Sequence, residues 1–99
     1  MEINKVVKDD CCKFDLSGRL DTITSPQLEE ALNDLPENIS ELILDLAELE
    51  YVSSAGLRVF LNAQKGMNEK SGKMTLRNVN DEIMEVLEMT GFTGILTIE

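Results

Sequence analysis

With 99 residues, the chain has room for one domain with a single modest core. Nineteen acidic against nine basic side chains, with no histidine, leave a net charge of -10; such a field repels phosphate backbones and anionic headgroups, and excludes direct nucleic-acid binding. Hydrophobic residues are 42% of the chain, in periodic blocks that predict a folded globule.

No apolar run approaches the roughly 20 residues that span a bilayer, and Met1-Glu2-Ile3-Asn4-Lys5 lacks a signal-peptide core, so a cytoplasmic protein without membrane insertion is expected. Glu2 to Val7 and Cys11 to Ser17 are β-rich stretches around Lys8-Asp9-Asp10, which predicts a hairpin. Cys12, Phe14 and Leu16 alternate with Lys13, Asp15 and Ser17, so the second strand is buried on one side only. Cys11 and Cys12 point to opposite faces and cannot pair, and two thiols without histidine cannot make a structural zinc site, which takes about four ligands. No metal or other cofactor is expected.

Gly18 to Ile23 reads as a loop. Thr24-Ser25-Pro26-Gln27 starts a helix, with either a Thr24–Gln27 capping box or Ser25 as cap and Pro26 at the first helical position. Leu28, Ala31, Leu32 and Leu35 give it one apolar face, and Pro36 stops it. Leu42 to Leu46 is a near-continuous apolar run, predicting a central strand covered on both faces or nearly so. Asp45 within it is expected to tie down an Ala47 to Val52 loop, because an isolated buried carboxylate is costly.

A helix follows from Ser54 to about Lys70, with Gly56, Val59, Phe60, Ala63 and Met67 on one face, Arg58, Asn62, Lys65 and Glu69 on another, and Leu57 and Leu61 as a second apolar edge. Ser71-Gly72 ends it, Lys73 to Val79 alternates as a strand, and this order implies a right-handed parallel crossover. Asn80-Asp81-Glu82 caps a last helix with Ile83, Val86 and Leu87 inward, closed by Gly91, and Ile95 to Ile98 reads as a final strand. The result is one α/β domain over residues 1–99, with a mixed sheet of about five strands and three main helices.

Ser53 and Ser54 stand at the start of the longest helix, where first-turn N–H groups have no partner within the helix and favour an anion. Alone, Ser53-Ser54-Ala55-Gly56 reads as a capping serine and a glycine that lets helix and sheet approach. Together with Gly18-Arg19-Leu20-Asp21, Leu44-Asp45-Leu46, the aromatic Tyr51 and Met89-Thr90-Gly91-Phe92, it resembles the STAS domain family, named for sulfate transporters and anti-sigma factor antagonists. The resemblance covers nearly the whole chain. Gly56-Leu57 sets the register on the family's Asp-Ser-Ser/Thr-Gly-Leu/Ile pattern, placing Ser54 on the phosphate-accepting serine, Ala55 on the second hydroxyl and Ser53 on the aspartate, which is a departure.

The resemblance implies an anti-sigma factor antagonist, a regulator of transcription that binds an anti-sigma factor serine kinase when Ser54 is unphosphorylated and is reset by a serine phosphatase. The expected partner-binding residues are Asp21, Ser53, Ser54, Gly56, Leu57, Arg58 and Asn62. The alternative is a STAS accessory subunit of a membrane transporter of the phospholipid ABC type, for which phosphorylation is unnecessary. No enzymatic activity is expected, because the chain has no histidine, no glycine-rich phosphate loop followed by lysine, and no serine with a base beside it.

Overall fold

The computed structural model describes residues 1–99. Strands β1 (Glu2–Lys8) and β2 (Cys11–Leu20) form the hairpin, joined by a two-residue turn in which Asp9 takes φ 56°, a conformation that short polar side chains tolerate. Helix α1 (Ser25–Asn33), β3 (Glu41–Val52), α2 (Ser54–Glu69), β4 (Lys73–Arg77) and α3 (Asp81–Met89) follow. The sheet order is β1-β2-β3-β4, with β1 antiparallel to β2 and both remaining pairs parallel. Because the parallel strands advance one place at a time, right-handed crossovers set α1 and α2 on the same face.

That face holds the core. Cys12, Leu42 and Met74 form one cross-strand row and Phe14, Leu44 and Leu76 the next, under Leu28 of α1, Val59, Phe60 and Met67 of α2, and Ile83 and Leu87 of α3. Covering of the central strand on both faces, expected from its apolar run, is not what forms. Leu42, Leu44 and Leu46 face the helices, whereas Ile43 points the other way and lies outside the core cluster, buried between Lys13 and Thr75 of the neighbouring strands.

Two expected loops are strand. β2 runs on through Gly18 to Leu20, and β3 through Ala47 to Val52. The buried residues of β3 explain this, since Leu42, Leu44 and Leu46 are two apart while Leu49 and Val52 come at intervals of three. Register shifts between Asp15 and Ser17 and between Gly18 and Arg19 each give β3 one extra residue, and so turn Leu49 and Val52 back to the core. Gly18, on the opposite strand at the second shift, takes φ 92°, a conformation that glycine adopts without steric cost. Asp45 pins the first irregularity, accepting the Ala47 N–H at 3.0 Å and the Asn78 side-chain amide at 3.0 Å.

Near the C-terminus the expected strand shrinks. Phe92–Gly94 is a 3₁₀ turn, and Ile98 makes one parallel bridge to Leu76, with the Leu76 N–H donating to Thr97 and the Glu99 N–H to Leu76, both at 2.9 Å. β4 stops at Arg77, where Asn78 takes φ 57°, so little edge remains to pair with; the sheet has four strands and a bridged tail. No helix is long and apolar enough to cross a membrane.

Candidate functional site

The carboxyl ends of β2 and β3 lie side by side, and the turns that leave them are coupled by the Ser53 N–H donating to the Leu20 carbonyl at 2.8 Å. This is the end of a parallel sheet at which α/β folds place their binding sites. Ser53 is still extended, with φ -94° and ψ 176°, and its Oγ accepts the Gly56 N–H at 3.4 Å while its carbonyl accepts the Leu57 N–H at 2.9 Å. Ser53 is therefore the cap of α2. Ser54 is the first helical residue and is exposed, so the adjacent hydroxyls divide the tasks of closing the helix and facing solvent.

Gly56 fixes the height of this turn above the sheet. A Cβ on it would stand 2.7 Å from Leu20 Cγ and 2.8 Å from Val52 Cγ2, closer than packed carbons approach. Alanine normally gains up to about 1 kcal/mol over glycine within a helix, but overpacking costs about 1–3 kcal/mol. Gly56→Ala should thus lower the denaturant midpoint. Gly66→Ala, on the same helix with nothing within 4 Å of the added carbon, should raise it. Two shifts of the same sign would show that the contact at Gly56 is not what fixes the helix.

The Gly18–Asp21 segment ends in a second built turn. The Asp21 carboxylate accepts the Ile23 N–H at 3.0 Å and the Thr24 N–H at 3.1 Å through Oδ1, and its Oδ2 lies 3.8 Å from Arg19 Nε. Neither expected cap of α1 forms. Thr24 has α-helical dihedrals, and its Oγ1 instead accepts the Asp21 N–H at 2.9 Å and donates to the Arg19 carbonyl at 2.7 Å; Ser25 is buried at the first helical position.

These contacts, the Thr24 N–H above all, hold the Asp21 carboxyl below its ordinary range, against a smaller opposing desolvation. A lowered folded-state value favours folding above the ordinary aspartate range, and the advantage disappears as pH falls through the folded-state value. The stability difference between wild type and Asp21→Asn should accordingly be constant near neutrality and shrink in acid. A difference that widens in acid would contradict the assignment.

The remaining expected residues separate into two groups. Arg58 and Asn62 are exposed on successive turns of α2 beyond Ser54, with Asn62 also at the rim of a groove of about 560 Å³ between α1 and α2. Gly56 and Leu57 are buried, Leu57 within the core, so they position the serine turn and do not present a contact surface. A further pair stands beside the site: the Arg19 guanidinium lies 4.2 Å over the centre of the Tyr51 ring. Arg19 and Tyr51 become direct cross-strand partners only through the two extra residues of β3, and no local pattern announces this. Cys12 is fully buried and Cys11 half-buried, with desolvation raising both thiols, and no three His, Cys, Asp or Glu gather as a metal site.

The fold and site define a class: a small α/β domain that displays a serine hydroxyl at a helix start beside a structured acidic turn. The chain belongs to the STAS domain family, whose model matches residues 2–99. Over 86 residues it is 33% identical to the anti-sigma-B factor antagonist of Listeria monocytogenes, covering 85% of this chain and 75% of that one. Among solved structures, the unphosphorylated form of the anti-sigma factor antagonist SpoIIAA superposes with a TM-score of 0.80 at 16% identity, over 99% of this chain and 88% of that one. The phosphorylated form of the Bacillus cell fate determinant SpoIIAA does so with a TM-score of 0.78 at 16% identity, over 99% and 91%.

Proposed function

We propose that this protein is an anti-sigma factor antagonist switched by phosphorylation of Ser54, binding a serine kinase anti-sigma factor when unphosphorylated and returned to that state by a serine phosphatase. The observation that carries the reading is the division between the two serines. Ser53 is engaged as the helix cap, and Ser54 stands exposed one residue on, with the unpartnered first-turn N–H groups beside it. In the transfer, Ser54 Oγ bonds to the γ-phosphorus of ATP held by the kinase, the bond to the β-bridging oxygen breaks, ADP leaves, and the hydroxyl proton goes to a base on the kinase. This chain supplies the acceptor and its surroundings only. Arg58 and Asn62 would be crossed by any partner that reaches Ser54, and Ser53, Gly56, Leu57 and Asp21 hold the turns in place.

The relatives support the reading by their function, and the shared fold of both SpoIIAA forms supports a switch that leaves the domain folded. The test is incubation with the cognate kinase and ATP, followed by fragment mass spectrometry. We expect one phosphate on Ser54, and Ser53→Ala to remain a substrate despite losing about 1 kcal/mol with its cap. A phosphate on Ser53, or on neither serine, would overturn the assignment and bring the transporter-subunit reading forward.

A further inference from the structure

The geometry points to Ile23 as an anchor side chain for the anti-sigma factor, held out by the Asp21 turn beside the Arg19–Tyr51 pair; this rests on the function proposed above. Ile23 is 86% exposed, and Tyr51 is 41% exposed. Single exposed apolar residues are ordinary on protein surfaces, so exposure alone carries nothing. What distinguishes these two is how they are held.

The Ile23 N–H donates to Asp21 Oδ1, the next N–H does the same, and the Ser25 N–H closes onto the Asp21 carbonyl at 2.8 Å. Thr24 Oγ1 ties the base of the turn to the Arg19 carbonyl. The backbone that carries Ile23 is thus set before any partner arrives, and its β-branched side chain has few rotamers to lose. Tyr51 lies under the Arg19 guanidinium, whose Nε is 3.8 Å from Asp21 Oδ2. A rigid apolar knob and a stacked Arg–Tyr pair bind at small entropic cost, and tyrosine and arginine are common among the residues that dominate interfaces.

The position agrees. Arg19 and Tyr51 are cross-strand partners one residue before Leu20 and Val52, and the Leu20 carbonyl holds the Ser53 N–H, so the knob and the acceptor serine occupy the same end of the sheet. The partner surface that complements it is an apolar pocket for Ile23 with a carboxylate at its rim facing Arg19. Asp21 is a positioning residue here, acting through the turn.

Calorimetric titration of the cognate anti-sigma factor kinase tests this, with Ser54→Asp as reference. Ile23→Ser should weaken binding about ten- to thirtyfold, with an unchanged unfolding midpoint. Ile23→Leu should stay within about threefold of wild type, because it keeps the apolar contact. Asp21→Ala should weaken binding as Ile23→Ser does, and Asp21→Asn, whose Oδ1 still accepts both N–H groups, should recover most of the loss. Wild-type affinity for Ile23→Ser alongside failure of Ser54→Asp would overturn the anchor and leave the switch standing. Wild-type affinity for both would remove both.

Discussion

Ser54→Asp should bind the anti-sigma factor about thirtyfold or more weakly than wild type, with its circular dichroism unchanged and its unfolding midpoint equal or slightly raised. Two magnitudes decide this. Within the domain, an anion on the first helical residue meets unpartnered N–H groups and the positive end of the helix dipole, which favour it by about 0.3–1 kcal/mol at an exposed position. Across an interface the same charge has to be desolvated or set against the partner's own groups, and disturbing a well-buried charge pairing costs about 2–5 kcal/mol. At 1.4 kcal/mol per factor of ten, the lower bound is already about thirtyfold. The fold should therefore survive and the complex fail, because the charge slightly favours the one and costs the other several times as much. A Ser54→Ala variant should bind as wild type does while resisting the kinase.

Phe14→Ala should be the most damaging substitution for folding, costing about 3–5 kcal/mol. Phe14 is fully buried on β2 within the second of the two rows that hold the sheet to its helices, with Leu44 opposite it on β3 and Leu76 one strand further. An alanine there leaves a void that three strands would have to move to fill, and close-packed interiors relax only in part. Lys13→Ala, its neighbour on the open face, removes two ion pairs, at 3.4 Å to Asp15 and 3.8 Å to Asp45, and should cost no more than about 1 kcal/mol because the lysine side chain is still 39% exposed and solvent screens both pairs. Comparable losses for the two variants, read from denaturant midpoints, would mean that the core is not on the face assigned here.

Where pattern and structure agree, the information is local. The alternation of Cys12, Phe14 and Leu16 depends on neighbours along the chain, as does the helical spacing from Ser54 to Glu69, and both elements form where the periodicity places them. The parallel pairing of β3 and β4 across α2 follows from their strand–helix–strand order, and handedness then decides the face that α2 covers. What could not be read depends on pairing at a distance. Leu46, Leu49 and Val52 lose the two-residue period, and only the partner strand shows that extra residues restore their inward direction. The same extra residues bring Tyr51 opposite Arg19. Thr24 looks like a cap by composition, yet its hydroxyl is already engaged by Asp21 and Arg19 of the preceding turn, which are better placed to use it.

The site was legible in part for the same reason. Ser53-Ser54-Ala55-Gly56 announces a helix start, and the need of Gly56 for close approach is met by Leu20 and Val52. Which serine caps is settled by backbone direction alone, since only Ser53 keeps the extended ψ that turns its Oγ toward the Gly56 N–H. That selection leaves Ser54 outward. The inward position of Leu57 was open at the level of periodicity, because it lies on the second apolar edge of α2, and its burial follows from how the helix seats on the sheet.

The most direct test of the switch is a titration of the cognate anti-sigma factor kinase with this protein in two forms, unphosphorylated and stoichiometrically phosphorylated on Ser54, at fixed ionic strength. Tight binding of the first is expected, and an affinity at least about thirtyfold lower for the second, with the phosphorylated domain still folded by circular dichroism. Equal affinities for the two forms, with Ser54 confirmed as the modified residue, would contradict the switch.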